Sequence, residues 1–278
     1  MMGFGHRDER SFDGVMRLAF CLDTDLEQQV GIEVRQEGQA LELLIHGDDE
    51  ALSDVEAVTR QVARVVSADG DGAAYAEVCA ADPVLARVHE AAPGFRPANF
   101  HSPYEAAVWS VLSARRQRGQ AIALRRRLSE RHGATFELAG EPVHALPTPA
   151  AVARLEHVEG LQDDAVPRLQ AIAEAATAGR LDVDRLVAMS PEDAMVDLQR
   201  LPGIGPFYSA LVMIRACGHT DVLSTQEPHT RQAVRSLYAL DHEPDDAELT
   251  AIAEAWRPFR TWAAVALRAV GSRLTTAA

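Results

Sequence analysis

A small α+β domain over residues 1–95, followed by a mainly α-helical body over residues 96–278, is the architecture that three features of this sequence predict. Short alternating apolar runs fill the chain between Met16 and His46, as strands do. A stretch dense in proline and glycine, AAPGFRPANFHSP over 91–103, breaks it. Beyond that break, apolar positions recur at the helical period almost to the C-terminus.

In chain order, VMRLAFCL, VGIEVRQ and ALELLIH read as strands, with a turn at Glu37-Gly38 joining the last two into a hairpin. Leu52, Val55, Val58, Val62 and Val65 follow at helical spacing, so a helix is expected to pack on that sheet. Further helices are expected over 104–132, 149–159, 164–178, 181–188, 191–201, 205–217, 229–238, 245–256 and 258–274. Thr148 before Pro149 and Ser190 before Pro191 are start signals, a capping hydroxyl ahead of a proline that needs no N–H partner.

Composition bounds the function. With 47% hydrophobic residues the chain has enough apolar material for real cores, and no apolar run is long enough to cross a bilayer. The N-terminus MMGFGHRDERSFDG is polar where a secretory signal would be apolar, which points to the cytoplasm. Cys21, Cys79 and Cys217 are odd in number and far apart, so reduced thiols are expected and a four-cysteine cluster is excluded. The histidines show no zinc spacing, and no phosphate-binding loop or dinucleotide fingerprint occurs, so no cofactor is expected. The net charge of −14 opposes a polyanionic partner, but its distribution is uneven. Acids crowd the first hundred residues, whereas Arg115, Arg116, Arg118, Arg125, Arg126, Arg127 and Arg131 form one basic helical region. All 27 basic residues are arginine; there is no lysine.

The most informative stretch is LQRLPGIGPFYSALVMIRA, from Leu198 to Ala216. Two helices joined by Pro-Gly-Ile-Gly make a helix-hairpin-helix, in which the glycines permit φ > 0 and Ile204 inserts between the helices. The turn leaves unhindered amides at the start of the second helix, a natural seat for a DNA phosphate. Gly203, Ile204 and Gly205, with Arg115, Arg116 and Arg118, are therefore the expected backbone-binding set.

Together with DPVLARVHEAAPGFRP, SPYEAAVWSVLSARRQRGQAIALRRRL and WRPFRTWAAVALR, in that order along the chain, this motif resembles the 3-methyladenine DNA glycosylase II (AlkA-like) branch of the helix-hairpin-helix DNA glycosylases. The resemblance covers nearly the whole sequence. It implies a helix-hairpin-helix glycosylase body, duplex DNA bearing a damaged base as partner, action as a monomer, and excision of alkylated or otherwise modified bases in base excision repair. It also implies a structural monovalent cation, sodium or potassium, held by the carbonyls of Gln199, Leu201 and Ile204.

In that family a carboxylate some twenty residues past the hairpin faces the sugar of an everted nucleotide. A fixed negative charge there stabilises the oxocarbenium-like transition state of N-glycosidic cleavage. The family's aspartate pair aligns with Gln226 and Glu227, which makes Glu227 the catalytic candidate, one methylene longer than the usual residue. Pro228 biases it toward an extended backbone. Two further positions depart: Ser113-Ala114-Arg115 replaces Gly-Gln-Gln, and Arg268 aligns where the best-known members stack an aromatic ring on the base. Trp109, Phe207, Tyr208 and Trp262 are the candidates for replacement stacking. Without lysine, a Schiff-base lyase step lacks its usual amine, so a glycosylase here should be monofunctional. The same departures define a second reading, a lesion-recognising DNA-binding protein that kept the scaffold and lost catalysis.

Overall fold

The computed structural model of the chain describes residues 12–276 apart from residues 50 and 163. Strands β1 (Val15–Cys21), β2 (Gln29–Glu37) and β3 (Ala40–His46) form an antiparallel meander in the order β1-β2-β3, with Leu18 opposite Ile32 and Phe20 opposite Val30. Gly38 takes φ +63° in the tight turn between β2 and β3. Leu18, Phe20, Val30, Ile32 and Val34 point to one face, where helix α1 (Val55–Val65) lays Val58, Val62 and Val65 across them. The expected helix on the sheet is therefore present, but Leu52 and Val55 lie outside its buried stripe and are exposed. Asp54 caps α1 by accepting the N–H of Ala57.

Helices α2 (Gly72–Ala81) and α3 (Pro83–Ala91) follow. The body then runs through α4 (Pro103–Ser113), α5 (Arg118–His132), β4 (Thr135–Leu138), β5 (Glu141–His144), α6 (Pro149–Ala153), α7 (Ala165–Thr177) and α8 (Val183–Ala188). It ends with α9 (Pro191–Leu198), α10 (Pro206–Arg215), α11 (Pro228–Leu237), α12 (Asp246–Ala253) and α13 (Arg260–Thr276). Thr148 and Ser190 act as the capping hydroxyls, accepting the N–H groups of Ala151 and Asp193.

Two corrections follow. The single helix expected over 104–132 is two, because the chain turns at 114–117, where Arg115 adopts φ +55°. A second hairpin, β4–β5, was hidden in TFELAGEPVH; Ala139 and Gly140 form its two-residue turn, both at positive φ, the conformation that hairpins favour. It covers the other face of the N-terminal sheet: Phe136 sits where a side chain on Gly31 would be, and buried Glu33 accepts the N–H of Ala139 at 2.8 Å. The core that the N-terminal sheet shares with α1 reaches Val65 and Val66. Tyr75, Cys79, Leu85 and Val88 belong to one core with Val234, Trp256, Phe259, Trp262 and Leu267. A second helical core joins Tyr104, Leu112, Leu169, Leu201, Ile204 and Met213. The cleft described next lies along these two cores.

Candidate active site

The hairpin has the form the sequence implied. Between α9 and α10, Leu201 and Ile204 are buried, with Ile204 donating its N–H to the Leu201 carbonyl at 3.1 Å. Gly203 alone takes the left-handed conformation, φ +91°; Gly205 is extended at φ −93° and serves as the N-terminal cap of α10 without a side chain. Pro206 has no N–H to offer, and among the described residues nothing accepts the N–H groups of Gly205, Phe207 and Tyr208. A helix start with open donors and a bare cap suits an anion.

Beside it opens a cleft of about 650 Å³, bounded by the end of α4, by α10, by the segment leading into α11 and by one face of α13. Trp109, Phe207, Tyr208, Arg116, Arg118, Glu227 and Arg268 all line it. A comparable depression of about 690 Å³ between α6 and α7 contains none of the expected residues. Phe207 and Tyr208 stand edge to face, with centroids 5.2 Å apart, and the Ser113 hydroxyl holds the Tyr208 hydroxyl at 3.0 Å. Ser113 thus anchors an aromatic wall.

Glu227 sits at the N-cap of α11, extended at φ −92° and ψ 104°, as Pro228 requires. Its Oε1 accepts the backbone N–H of His229 at 3.1 Å and lies 2.8 Å from His229 Nδ1. Its Oε2 lies 3.0 Å from Arg268 Nη1. The longer side chain therefore has a partner at each oxygen, while remaining 16% exposed toward the cleft. Arg268 also donates Nε to the Ala264 carbonyl at 3.2 Å, and burial pulls its pKa down against the opposing pull of Glu227.

Trp262 is not part of this cleft. It is buried against Tyr75 and Phe259, with Arg96 stacked over its ring at 5.3 Å, on a different face of α13 from Arg268. The basic region also divides. Arg125 pairs with buried Glu105 at 3.0 Å, Arg126 with Glu130 and Arg131 with Glu159, so these cations are largely committed. Arg115 and Arg118 are exposed and have no carboxylate partner among the described residues. Arg116 turns its guanidinium back to the carbonyls that end α4, 3.3–3.5 Å away, while still lining the cleft rim. Arg116 and Arg118 line the cleft, and Arg115 does not. The residue that sequence reasoning missed is Arg215, a buried arginine on the cleft wall; an arginine interrupting the apolar run LVMIRA was its only signal.

All three cysteines are buried free thiols. No cluster of His, Cys, Asp or Glu that could hold a metal occurs among the described residues, and no helix there is long and apolar enough to cross a membrane.

No protein-family model matches the chain. It is 24% identical over 200 residues, 70% of its length, to a DNA-3-methyladenine glycosylase of Bacillus subtilis. It is also 28% identical over 227 residues to a probable bifunctional transcriptional activator/DNA repair enzyme AlkA of Mycobacterium tuberculosis. The chain spans 66% and 42% of those relatives' own lengths. In fold it is similar to the 3-methyladenine DNA-glycosylase of Archaeoglobus fulgidus, with a TM-score of 0.78 at 22% identity, covering 95% of this chain and 89% of that one. The 3-methyladenine DNA glycosylase of Schizosaccharomyces pombe, solved with abasic DNA, superposes with a TM-score of 0.57 at 23% identity over 70% of this chain and 94% of that one. In its motifs, its relatives and its fold, the chain is similar to the AlkA-like 3-methyladenine DNA glycosylases.

Proposed function

We propose that the protein is a monofunctional DNA glycosylase that removes alkylated or otherwise modified bases from duplex DNA. The observation that carries this reading is the Glu227 carboxylate, held by His229 and Arg268, in a cleft walled by Trp109, Phe207 and Tyr208 beside the open amides of α10. Each part has a task. The α10 amides and the arginines at 115–118 dock the phosphate backbone, a contact that fixes position and carries no sequence information. The aromatic wall receives an everted base by stacking, each such contact being worth about 1–3 kcal/mol. Glu227 then stabilises positive charge on the sugar as the N-glycosidic bond lengthens, and water completes the hydrolysis. The Arg268 contact lowers the field Glu227 presents at rest and fixes its direction, which is the role of a positioning residue.

The carbonyls of Gln199, Leu201 and Ile204 would hold a monovalent cation at the hairpin. Neutral oxygen donors suit such an ion, and the Leu201 carbonyl, which among the described residues accepts the N–H of Ile204 alone, keeps a lone pair. Its contribution would be to rigidify the turn beneath the bound phosphate.

The test is release of base from a duplex carrying a defined alkylated base, followed by alkaline scission of the abasic strand. We expect strand breaks only after alkali, and no covalent adduct with borohydride, because the chain has no lysine. A lesion duplex that is bound tightly yet releases no base would favour the lesion-binding reading. An adduct would contradict monofunctional chemistry.

A further inference from the structure

Glu227 stands at the end of a connection that has no hydrogen-bond ladder of its own. Residues 216–227, which join α10 to α11, form neither helix nor strand, so side chains from other elements fix their course. The first half is tied to the start of α13. Asp221 accepts from Arg257 Nη1 at 2.7 Å and from Arg260 Nε at 2.8 Å. Thr261 Oγ1 accepts the N–H of Val222 at 3.0 Å and donates to the Val222 carbonyl at 2.7 Å. The half that carries Glu227 is tied by Arg231, one turn into α11. Its Nε and Nη2 donate to the Thr225 carbonyl at 3.2 and 2.8 Å, and among the described residues no backbone N–H competes for that oxygen. Its Nη1 donates to the Pro244 carbonyl, and its Nη2 pairs with Asp246 at the start of α12. The Thr225 hydroxyl closes the ring by donating to Asp246 at 3.4 Å. Each nitrogen of the guanidinium is engaged, and Arg231 does not line the cleft.

We propose that Arg231 is a positioning residue for base release, holding the turn at Thr225-Gln226 so that Glu227 presents its carboxylate at one fixed place. This rests on the glycosylase reading above and adds to it a residue outside the cleft on which the chemistry depends. His229 and Arg268 orient the tip of the Glu227 side chain, whereas Arg231 fixes the backbone from which that side chain starts. A planar fork with two donors on one carbonyl resists pivoting, which a single flexible ammonium cannot do. Without it the Thr225 carbonyl is left to water, and a shift of about 1 Å in the carboxylate is enough to cost about 10²-fold in rate.

The experiment measures single-turnover base release at saturating protein from duplexes carrying hypoxanthine, 1,N6-ethenoadenine or 7-methylguanine, with affinity read by fluorescence anisotropy and stability by thermal melting. Arg231→Met keeps the aliphatic stem and removes the donors. Release should slow by about tenfold or more, with affinity held within about twofold, because the loss belongs to the transition state. Arg231→Lys should recover part of the rate. The deciding comparison is made in Glu227→Gln: adding Arg231→Met there should slow release no further, since the carboxylate it positions is gone. The same loss in both backgrounds would overturn the proposal, because Arg231 would then support the fold or the docking of DNA and not the carboxylate. If Arg231→Met does not melt cooperatively, Arg231→Lys carries the comparison in both backgrounds. Release that Glu227→Gln slows and the Arg231 substitutions do not would overturn the positioning role alone. A wild type that releases none of the three bases would overturn the glycosylase reading and the positioning role with it.

Discussion

At the residue scale the question is whether Glu227 is a worn aspartate or a site rebuilt around a longer acid. Both of its oxygens are engaged, one by His229 and one by Arg268 across the cleft, and the second contact depends on the extra methylene. Glu227→Asp would shorten that reach by roughly one C–C bond, about 1.5 Å. It should therefore lower single-turnover release by about 10²-fold, the usual cost of a misplacement on that scale. Helix α11 should survive the change, because aspartate is a good N-cap residue. Unaltered rates with unaltered melting would show that the glutamate length is incidental. Trp262 gives the complementary case. Arg268 and Trp262 lie six positions apart on one helix, about 600° of rotation, so they point roughly 120° from each other. Thr261, Ala264, Val265 and Arg268 form the cleft face, whereas Trp262, Ala263, Leu267 and Val270 face the core. Trp262→Ala should cost about 3–5 kcal/mol in denaturant unfolding, as loss of a buried indole does.

At the scale of elements, the hairpin allows folding and binding to be separated. A side chain at Gly205 would meet nothing within 4 Å, and its φ of −93° suits any residue. Gly205→Asp should leave the melting temperature equal or higher, since aspartate caps helices well. It should still weaken duplex binding about tenfold or more, with and without a lesion, because a carboxylate then occupies the phosphate seat. Retained affinity at low salt would remove the α10 start from the interface. A second test concerns the connection between α4 and α5. Glu105 is buried and bridges His101 at 3.0 Å and Arg125 at 3.0 Å. Burial alone would raise its pKa, but the contacts with His101 and Arg125 outweigh it and hold the carboxyl down at about 2. A depressed acid stabilises the fold above its ordinary range near 4.5 and loses that contribution as pH falls toward 2. Glu105→Gln should cost about 3–5 kcal/mol at neutral pH, and its stability should fall less steeply over that acid window. An identical acid limb in both proteins would mean that the triad is not what the acid dissolves.

At the scale of the molecule, what could be read in advance followed from periodicity. The strands over 15–46 alternate clearly, and the helices flanking LPGIGP carry regular apolar stripes and capping residues, so their types and order emerged from the sequence. The helices of the α2–α3 pair are short, and α2 in particular is alanine-rich with little apolar contrast between its faces; nothing in them told that they close a core with α11 and α13, some 150 residues away. The β4–β5 hairpin has four residues per strand, too few for alternation to stand out beside the Ala139-Gly140 turn. In the cleft, residues near the hairpin and in the resemblance to the glycosylases were legible as a set. Arg215 was not, because its importance comes from burial and from the absence of a carboxylate partner among the described residues, which are properties of packing. The arginine run read as a single basic surface for the same reason: Glu105 and Glu159, which pair with Arg125 and Arg131, approach only in the folded chain.

The most direct measurement is single-turnover base release by the wild type and Glu227→Gln, on a duplex whose lesion the wild type excises, with binding to the same duplex recorded alongside. Glutamine keeps the volume of the side chain and its place at the α11 cap but removes the charge. Release should fall by about 10²-fold or more while affinity is held or tightened, since the lost interaction belongs to the transition state. Equal rates for the two proteins would contradict the assignment of Glu227 as the catalytic carboxylate.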